Sequence, residues 1–183
     1  MSRPLRVYVS ATLDLEAERE VVGEALARFP VSLPWLIRRT PHPGEQRPEA
    51  LDEVHESDFF LILLGQDISA PVGAEVEAAL TAAVPLLALE KDVPNTPAGR
   101  FFRYNSVEKW ERFKAPADLQ PTVVRFLAAA LVEHAFQYGL GLAEATALAE
   151  HLRGKGQPED AAVTGKGPAG AGESAVIVSG RRR

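Results

Sequence analysis

The chain contains no cysteine among its 183 residues. That absence excludes disulfide bonds, thiolate catalysis and zinc sites built from cysteine, and it fits the cytosol. Positive charge is not in excess either, because the formal net charge is −5. General affinity for DNA or for an anionic membrane needs clustered positive charge. We therefore expect neither nucleic acid nor membrane as a partner.

Long apolar runs are also missing, since no charge-free stretch reaches the roughly 18 residues of a membrane-spanning helix. Residues 1–6 lead straight into a strand pattern and lack the apolar segment of a signal peptide. We expect a cytoplasmic protein. The four histidines are far apart and lack metal-ligand spacing, and no glycine-rich phosphate loop is present. We expect no metal and no cofactor.

The most informative stretch that is present covers residues 58–90. Its unbroken apolar run, Phe59–Leu64, ends at Gly65 and is typical of a strand buried on both faces. A helical apolar stripe follows over residues 72–83, and residues 85–89 form a second run of strand length. Strand, helix and strand make a βαβ unit with parallel strands, and ligands bind such sheets where strands end and helices begin.

The rest of the chain alternates strand and helix patterns, with Pro34 suiting an edge strand. We predict strands over residues 5–10, 31–37 and 100–104, helices over 49–56, 119–137 and 142–152, and a turn of helix after Ser106 that holds Trp110 and Phe113. On the first helix, after Thr12 and Asp14, the predicted buried stripe is Leu15, Val22, Ala25, Leu26 and Phe29.

The chain divides by composition into three parts. Residues 1–137 form the expected α/β domain, and residues 138–153 hold a C-terminal helix. Residues 154–183 are rich in Gly, Ala, Pro and charge, which cannot bury enough surface to order a chain, so a disordered, flexible tail is expected. The short apolar patch at residues 175–178 could instead meet a sheet edge or a partner.

Three segments resemble a TIR-like bacterial domain of unknown function that is often fused to signalling ATPases. The resemblance covers residues 5–90 well and extends loosely to residue 131. The matching residues are Val7-Tyr8-Val9-Ser10-Ala11-Thr12, Asp14-Leu15 and Glu18-Arg19-Glu20 at the opening, Ser57-Asp58 and Leu63-Leu64-Gly65 in the middle, and Glu75, Ala79 and Pro85 after them.

More distantly, the layout resembles TIR domains and nucleoside deoxyribosyltransferases. In both groups a glutamate on the helix after the central strand handles a ribosyl carbon. The resemblance implies a flavodoxin-like three-layer sandwich with a mostly parallel sheet, to which this chain adds C-terminal helices and the tail. It also implies cleavage or transfer at an N-glycosidic bond, in NAD or a related nucleotide.

Glu75 is the candidate catalytic residue. It lies near the helix start, at the border of the apolar stripe, while Glu77 points to solvent. Its carboxylate could attack a sugar carbon or hold ribose hydroxyls. The alternative is an acid favoured at a helix start by the helix dipole.

The candidate ligand-binding residues are Ser10, Thr12, Arg19, Gly65, Asp67 and Ser69. The hydroxyls after the first strand could bind ribose or phosphate, or could cap the helix. Arg19 falls on the buried side together with Glu18, so the two could form an internal ion pair, whereas a free Arg19 would bind a phosphate or carboxylate. The residues after Gly65 could shape the pocket or be only solvated.

Two kinds of function remain open. The first is a nucleotide- or nucleoside-directed domain, such as an N-glycosidase or NAD nucleosidase. The second is a catalytically inactive module that self-associates as a scaffold or senses nucleotide. The helix around residues 123–131 is apolar on most sides and needs a second surface, from the next helix or from another subunit. A homo-oligomer is therefore expected.

Overall fold

The structure of the protein, a computed structural model, describes residues 3–45, 47–107 and 109–154. The predicted tail lies outside the described residues, except for Gly154, which ends the last helix. The apolar patch at residues 175–178 lies outside them as well.

Within the described residues, five strands form one sheet in the order β2-β1-β3-β4-β5, and each neighbouring pair is parallel. This is the doubly wound order in which the chain first moves to one side of β1 and then to the other. The strands are β1 (Leu5–Ala11), β2 (Trp35–Arg39), β3 (Phe59–Leu64), β4 (Leu86–Lys91) and β5 (Glu111–Phe113).

Helices cover both faces of the sheet. On one face α1 and α5 pack together, and α6 packs on α5; on the other face lie α2, α3 and α4. The predicted α/β, flavodoxin-like three-layer sandwich is confirmed. The helices are α1 (Glu16–Ala27), α2 (Ala50–His55), α3 (Ala70–Thr81), α4 (Pro97–Ser106), α5 (Leu119–Glu133) and α6 (Leu142–Gly154), with short 3-10 turns at Leu13–Leu15 and Pro116–Asp118.

Side chains of β1 alternate between the two faces of the sheet and so contact different helices. Val7 and Val9 point into the core beneath α1 and α5, whereas Tyr8 points into the second core, beneath α2 and α3. Ser10 shares the face of Tyr8, because alternate residues of a strand lie on the same face. Two hydroxyl-bearing residues of β1 therefore face α3.

The predicted second strand begins too early. The ladder starts at Trp35, directly after Pro34, which has no N–H to donate. The carbonyl of Pro34 accepts a hydrogen bond from the Leu5 N–H at 2.8 Å. The predicted edge position is confirmed, because β2 is the outermost strand beside β1.

Two predictions are wrong: the strand over residues 100–104 and the turn of helix after Ser106. Residues 100–104 are part of α4, not a strand. Thr96 caps this helix by accepting a hydrogen bond from the Gly99 N–H at 3.1 Å, and Pro97 occupies its first turn. No turn of helix follows Ser106 in the described residues: Trp110 lies outside any helix or strand, and Phe113 belongs to β5 and is buried in the main core.

The C-terminal helices follow the prediction more closely. α5 starts at Leu119 as expected but ends at Glu133. Its apolar surface is covered within the chain by α1 and α6, with Leu127 and Leu148 in one core. In the described part of the chain, no helix has both the length and the apolar character needed to cross a membrane.

Candidate functional site

A cleft of about 640 Å³ opens at the carboxyl edge of the sheet. Its volume falls in the range of small-molecule sites, roughly 300–1,000 Å³. Three parts of the chain line it: the end of β1 with the start of α1, residues 40–45, 47, 50 and 51 after β2, and the start of α3. It lies where the connections after β1 and β3 leave the sheet toward opposite faces, which is where such sheets bind ligands.

Glu75 is a buried carboxylate that lines this cleft, with 1% of its surface exposed. It accepts three hydrogen bonds from hydroxyl groups. The Tyr8 hydroxyl donates to Oε1 at 2.8 Å, and the hydroxyls of Ser10 and Thr40 each donate to Oε2 at 2.6 Å. A buried carboxylate is thus satisfied by neutral donors.

The sheet brings these donors together. Tyr8 and Ser10 share one face of β1 and lie under α3. Val9 pairs with Arg39 in the parallel ladder, so Thr40, the next residue, lies beside Ser10. The Thr40 N–H donates to the Val9 carbonyl at 3.2 Å, which continues this register beyond the end of β2.

Burial raises the pKa of Glu75, while the hydrogen bonds from Ser10, Thr40 and Tyr8 and the positive charge of Arg19 act in the opposite direction. Burial also raises the pKa of Tyr8, and the neighbouring Glu75 charge raises it further. Tyr8 therefore keeps its proton and remains a hydrogen-bond donor to the carboxylate.

Arg19 is inward-facing, as predicted, and its side chain is 5% exposed. It contacts Glu16 at 3.0 Å and donates to the Ala11 carbonyl. The predicted Arg19–Glu18 pair is wrong: Glu18 contacts Lys91 of β4 at 2.8 Å. Adjacent helical residues diverge by about 100° and do not face one another.

Arg19 also lines the cleft, so its structural contacts and its place beside a ligand are compatible. Its Nε is buried and has no hydrogen-bond partner among the described residues. Arg47, another lining residue, is engaged by Glu53 and by Glu45, the latter at 3.8 Å. The cleft is therefore bordered by cations that are already paired.

The structure places four of the seven predicted site residues on the cleft wall: Thr12, Arg19, Ser69 and Glu75. Ser10 lies directly beneath them through its bond to Glu75. Thr12 donates its hydroxyl to Asp14 rather than to Glu75.

Gly65 and Asp67 are not among the residues that line the cleft. A Cβ at Gly65 would come within 2.5 Å of the Asp14 carboxylate, so this glycine permits a close approach of two loops. Asp67 accepts hydrogen bonds from the Thr96 hydroxyl at 2.7 Å and from the Ile68 N–H at 2.8 Å. Both residues join the β3–α3 loop to its neighbours.

Two residues of the site were missed in the sequence. Tyr8 could have been found from strand alternation, since it lies two residues before Ser10. Thr40 carries no local signal, because its role depends on the pairing of β2 with β1. In the described part of the chain, no three His, Asp or Glu side chains are arranged to hold a metal ion.

The fold and the cleft together define a flavodoxin-like α/β protein with a hydroxyl-bound carboxylate at the edge of its sheet. No protein-family model matches the chain, and no curated protein matches it at a significant level. The TIR-like resemblance of residues 5–90 therefore stays a prediction carried by the residues themselves.

Proposed function

We propose that the protein binds a nucleoside or nucleotide in this cleft and cleaves or transfers it at the N-glycosidic bond, as a TIR-like domain. Glu75 is the catalytic carboxylate in this proposal. The observation that supports it most is the position of Glu75, held by three hydroxyls beside an open cleft at the carboxyl edge of the sheet.

The hydrogen bonds indicate which role the carboxylate plays. All three are donated to Glu75, so they favour its ionised form against the burial that raises its pKa, and they leave it as an acceptor. An ionised carboxylate suits attack on the sugar C1′ or stabilisation of an oxocarbenium-like state, rather than donation of a proton to the leaving base.

The reaction balances with water as the second substrate. The C1′–N bond breaks and its electron pair leaves with the base, while an oxygen of Glu75 or of water bonds to C1′. Whether water attacks C1′ directly or displaces Glu75 from it, the water loses one proton, which goes to solvent or to the departing base of a neutral nucleoside. A pyridinium base such as that of NAD leaves as a neutral molecule and needs no acid, which fits a site whose carboxylate is an acceptor.

The residues that line the cleft support a ligand made of a base and a sugar. Leu13, Pro41 and Pro71 supply apolar surface, and apolar walls with a few placed polar groups are typical of small-molecule sites. Thr12 and Ser69, which carry hydroxyls, line the same cleft, and in this proposal they contact the sugar hydroxyls.

A nucleotide sensor without turnover is the second candidate. It is favoured by the 1% exposure of Glu75 and by the hydroxyl contacts that already occupy both carboxylate oxygens. A self-associating scaffold has less support, because the apolar surface of α5 is covered by α1 and α6 within the chain. Homo-oligomerisation stays a prediction.

The proposal is tested by incubating the protein with NAD and a panel of nucleosides and following free base by chromatography. Wild type should release base, and Glu75→Gln should lose at least about 100-fold of that rate. Glu77→Gln is the matched control, since Glu77 is an exposed glutamate two residues further along α3. It should retain the wild-type rate.

The remaining outcomes discriminate between the candidates. Ligand binding by wild type without base release supports the sensor. Equal base release by wild type and Glu75→Gln contradicts the catalytic role of Glu75. Neither release nor binding at millimolar ligand overturns both candidates.

A further inference from the structure

Thr40 connects two parts of the cleft that the proposed reaction needs together. Its side chain donates to Oε2 of Glu75 at 2.6 Å and accepts from the Ala11 N–H at 3.1 Å, and the residue is 4% exposed. A hydroxyl has one proton to donate. Because the Ala11 N–H occupies an acceptor position, the geometry directs this proton to Glu75.

Both backbone polar groups of Ala11 form hydrogen bonds with side chains. Its N–H donates to Thr40, and its carbonyl accepts from the Arg19 guanidinium. Arg19 contacts Glu16 at 3.0 Å, and the other oxygen of Glu16 lies 3.4 Å from Arg39. Arg39 precedes Thr40 in the chain, so the contacts form a closed ring at the ends of β1 and β2.

Thr40 is also the last residue bonded in the β1–β2 ladder before residues 41–45, which form the outer wall of the cleft. Its backbone N–H continues the β1–β2 ladder, and residues 41–45 then line the cleft. Ser10 donates to the same carboxylate oxygen as Thr40, and residues 11–13 after it line the cleft as well. Among the described residues, however, the Ser10 hydroxyl bonds Glu75 alone, whereas the Thr40 hydroxyl also holds the Ala11 N–H. The two donors therefore differ in what else they hold.

We infer that Thr40 is a positioning residue that orients the Glu75 carboxylate and fixes the wall formed by residues 41–45 relative to it. The catalytic part of this inference rests on the proposed function, whereas the coupling of Thr40 to Glu75 does not. Loss of the Thr40 hydroxyl should disturb both the acid and the ligand-binding wall. Loss of the Ser10 hydroxyl should disturb the acid alone.

The coupling is tested without any substrate. The side-chain carboxyl carbons of glutamate are labelled with ¹³C and titrated by NMR, and the Glu75 signal is assigned by its loss in Glu75→Gln. Thr40→Val preserves the shape of the side chain but removes the hydroxyl, so the titration midpoint of Glu75 should move to higher pH, because the ionised form loses a donor. Thr40→Ser keeps the hydroxyl and should restore the wild-type midpoint.

The other charged groups near Glu75 are unchanged in these variants. The charged groups are Arg19 of α1, the cleft-lining Glu45 and Arg47 after β2, and Glu53 of α2, which acts on Tyr8. Tyr8 of β1 contributes a hydroxyl, and His42 lines the cleft as well. An unchanged midpoint in Thr40→Val would overturn the inference, since a merely structural residue would alter stability without moving this midpoint.

A measurement on wild type covers the case in which Thr40→Val does not fold. The Thr40 hydroxyl proton should exchange slowly with water and give its own NMR signal, because the group is buried and bonded on both sides. The Ala11 amide should be protected from hydrogen exchange to a similar degree. Fast exchange of both protons would overturn the inference.

The catalytic part is tested by base-release kinetics. Thr40→Val should lower kcat at least about tenfold and raise KM, whereas Ser10→Ala should lower kcat with KM nearly unchanged. Equal kinetic effects of the two variants would contradict the assigned wall function. If wild type releases no base, the proposed function fails while the NMR titration still decides the coupling.

Discussion

Two buried carboxylates lie at the carboxyl edge of the same sheet and have different partners. Glu75 on α3 is bonded by the hydroxyls of Tyr8, Ser10 and Thr40 and borders the cleft. Glu90 near the end of β4 is 4% exposed and is paired with two guanidinium groups instead. Its carboxylate lies 2.6 Å from Arg103 and 3.4 Å from Arg112.

The difference separates a carboxylate in a structural contact from one that is a candidate for chemistry. The charge of Glu90 is cancelled by cations from α4 and β5, so the group ties these two elements to β4. Glu75 is bonded by neutral donors, which only partly offset the effect of burial on its pKa, and among the residues that the structure describes it joins no elements through an ion pair. A buried carboxylate with neutral partners beside a cleft is a candidate for chemistry, whereas one enclosed by arginines is a structural contact.

The largest expected effect on stability comes from Glu90→Gln. Breaking a buried ion pair costs about 3–5 kcal/mol. Arg103 and Arg112 are 22% and 63% exposed, so solvent compensates part of the loss. We expect urea titration to show a fall of about 2 kcal/mol in the free energy of unfolding.

Base release by Glu90→Gln should remain within about twofold of wild type, the reverse of the pattern expected for Glu75→Gln. Glu77→Gln serves again as the exposed control, with a stability change within about 0.5 kcal/mol. A loss of base release in Glu90→Gln without a loss of stability would remove the distinction between the two carboxylates.

The next effect concerns the packing of α4 beside the β3–α3 loop. A Cβ at Gly99 would lie 2.7 Å from the backbone carbonyl oxygen of Gln66, which cannot move as a flexible side chain would. Gly99→Ala should therefore lower the free energy of unfolding by about 1–2 kcal/mol, measured by urea titration. A neutral or stabilising result would show that α4 can shift away from this loop at little cost.

A smaller effect of opposite sign is expected at the start of α3. Gly73 is a helical residue with no atom within 4 Å of a built Cβ, apart from its own helix and chain neighbours. Gly73→Ala should raise the free energy of unfolding by about 0.5–1 kcal/mol, because alanine loses less conformational entropy in a helix. If base release also falls, the start of α3 must move during the reaction.

The smallest expected effect is a difference in the pH dependence of stability. Burial raises the pKa of Glu75 above its ordinary value of 4.5 in the folded state. Wild type therefore loses stability as the pH rises through that folded pKa. The free energy of unfolding of Glu75→Gln, relative to wild type, should be flat below pH 4.5 and increase as the pH rises.

The pH dependence of stability should change in the opposite direction in Asp67→Asn. Hydrogen bonds from the Thr96 hydroxyl and the Ile68 N–H lower the pKa of Asp67 below its ordinary value of 3.8. Its contribution to stability is present above pH 3.8 and is lost as the pH falls through the folded pKa. Chemical unfolding at several pH values measures both variants, and curves of the same slope for both would contradict these assignments.

Much of the fold could be predicted because its central elements carry strong local patterns. The apolar run Phe59–Leu64 and the stripe on α3 each indicate one kind of element. The patterns around α4 and β5 mislead: Phe101, Phe102 and Tyr104 favour a strand by propensity, yet Thr96 and Pro97 start a helix there. β5 is three residues long and is defined by its pairing with β4.

The site was predictable to the extent that it follows from the chain's own order. Glu75 and Ser10 stand near the ends of elements that sequence patterns already place at one edge of the sheet. Thr40 could not be predicted, because its position beside Ser10 depends on the register between β1 and β2. The partners of Glu18 and Arg19 depend in the same way on which neighbours the fold supplies.

The most direct test of the central claim is to map ligand binding by NMR on ¹⁵N-labelled protein, with NAD and the nucleoside panel added to wild type. The claim predicts that the amide signals of Thr12, Leu13, His42 and Ala74 shift in a saturable way, and that those of Phe101 and Tyr104 on α4 stay in place. Shifts that cluster on α4, or no saturable shift at millimolar ligand, would contradict the assignment of the Glu75 cleft as the binding site.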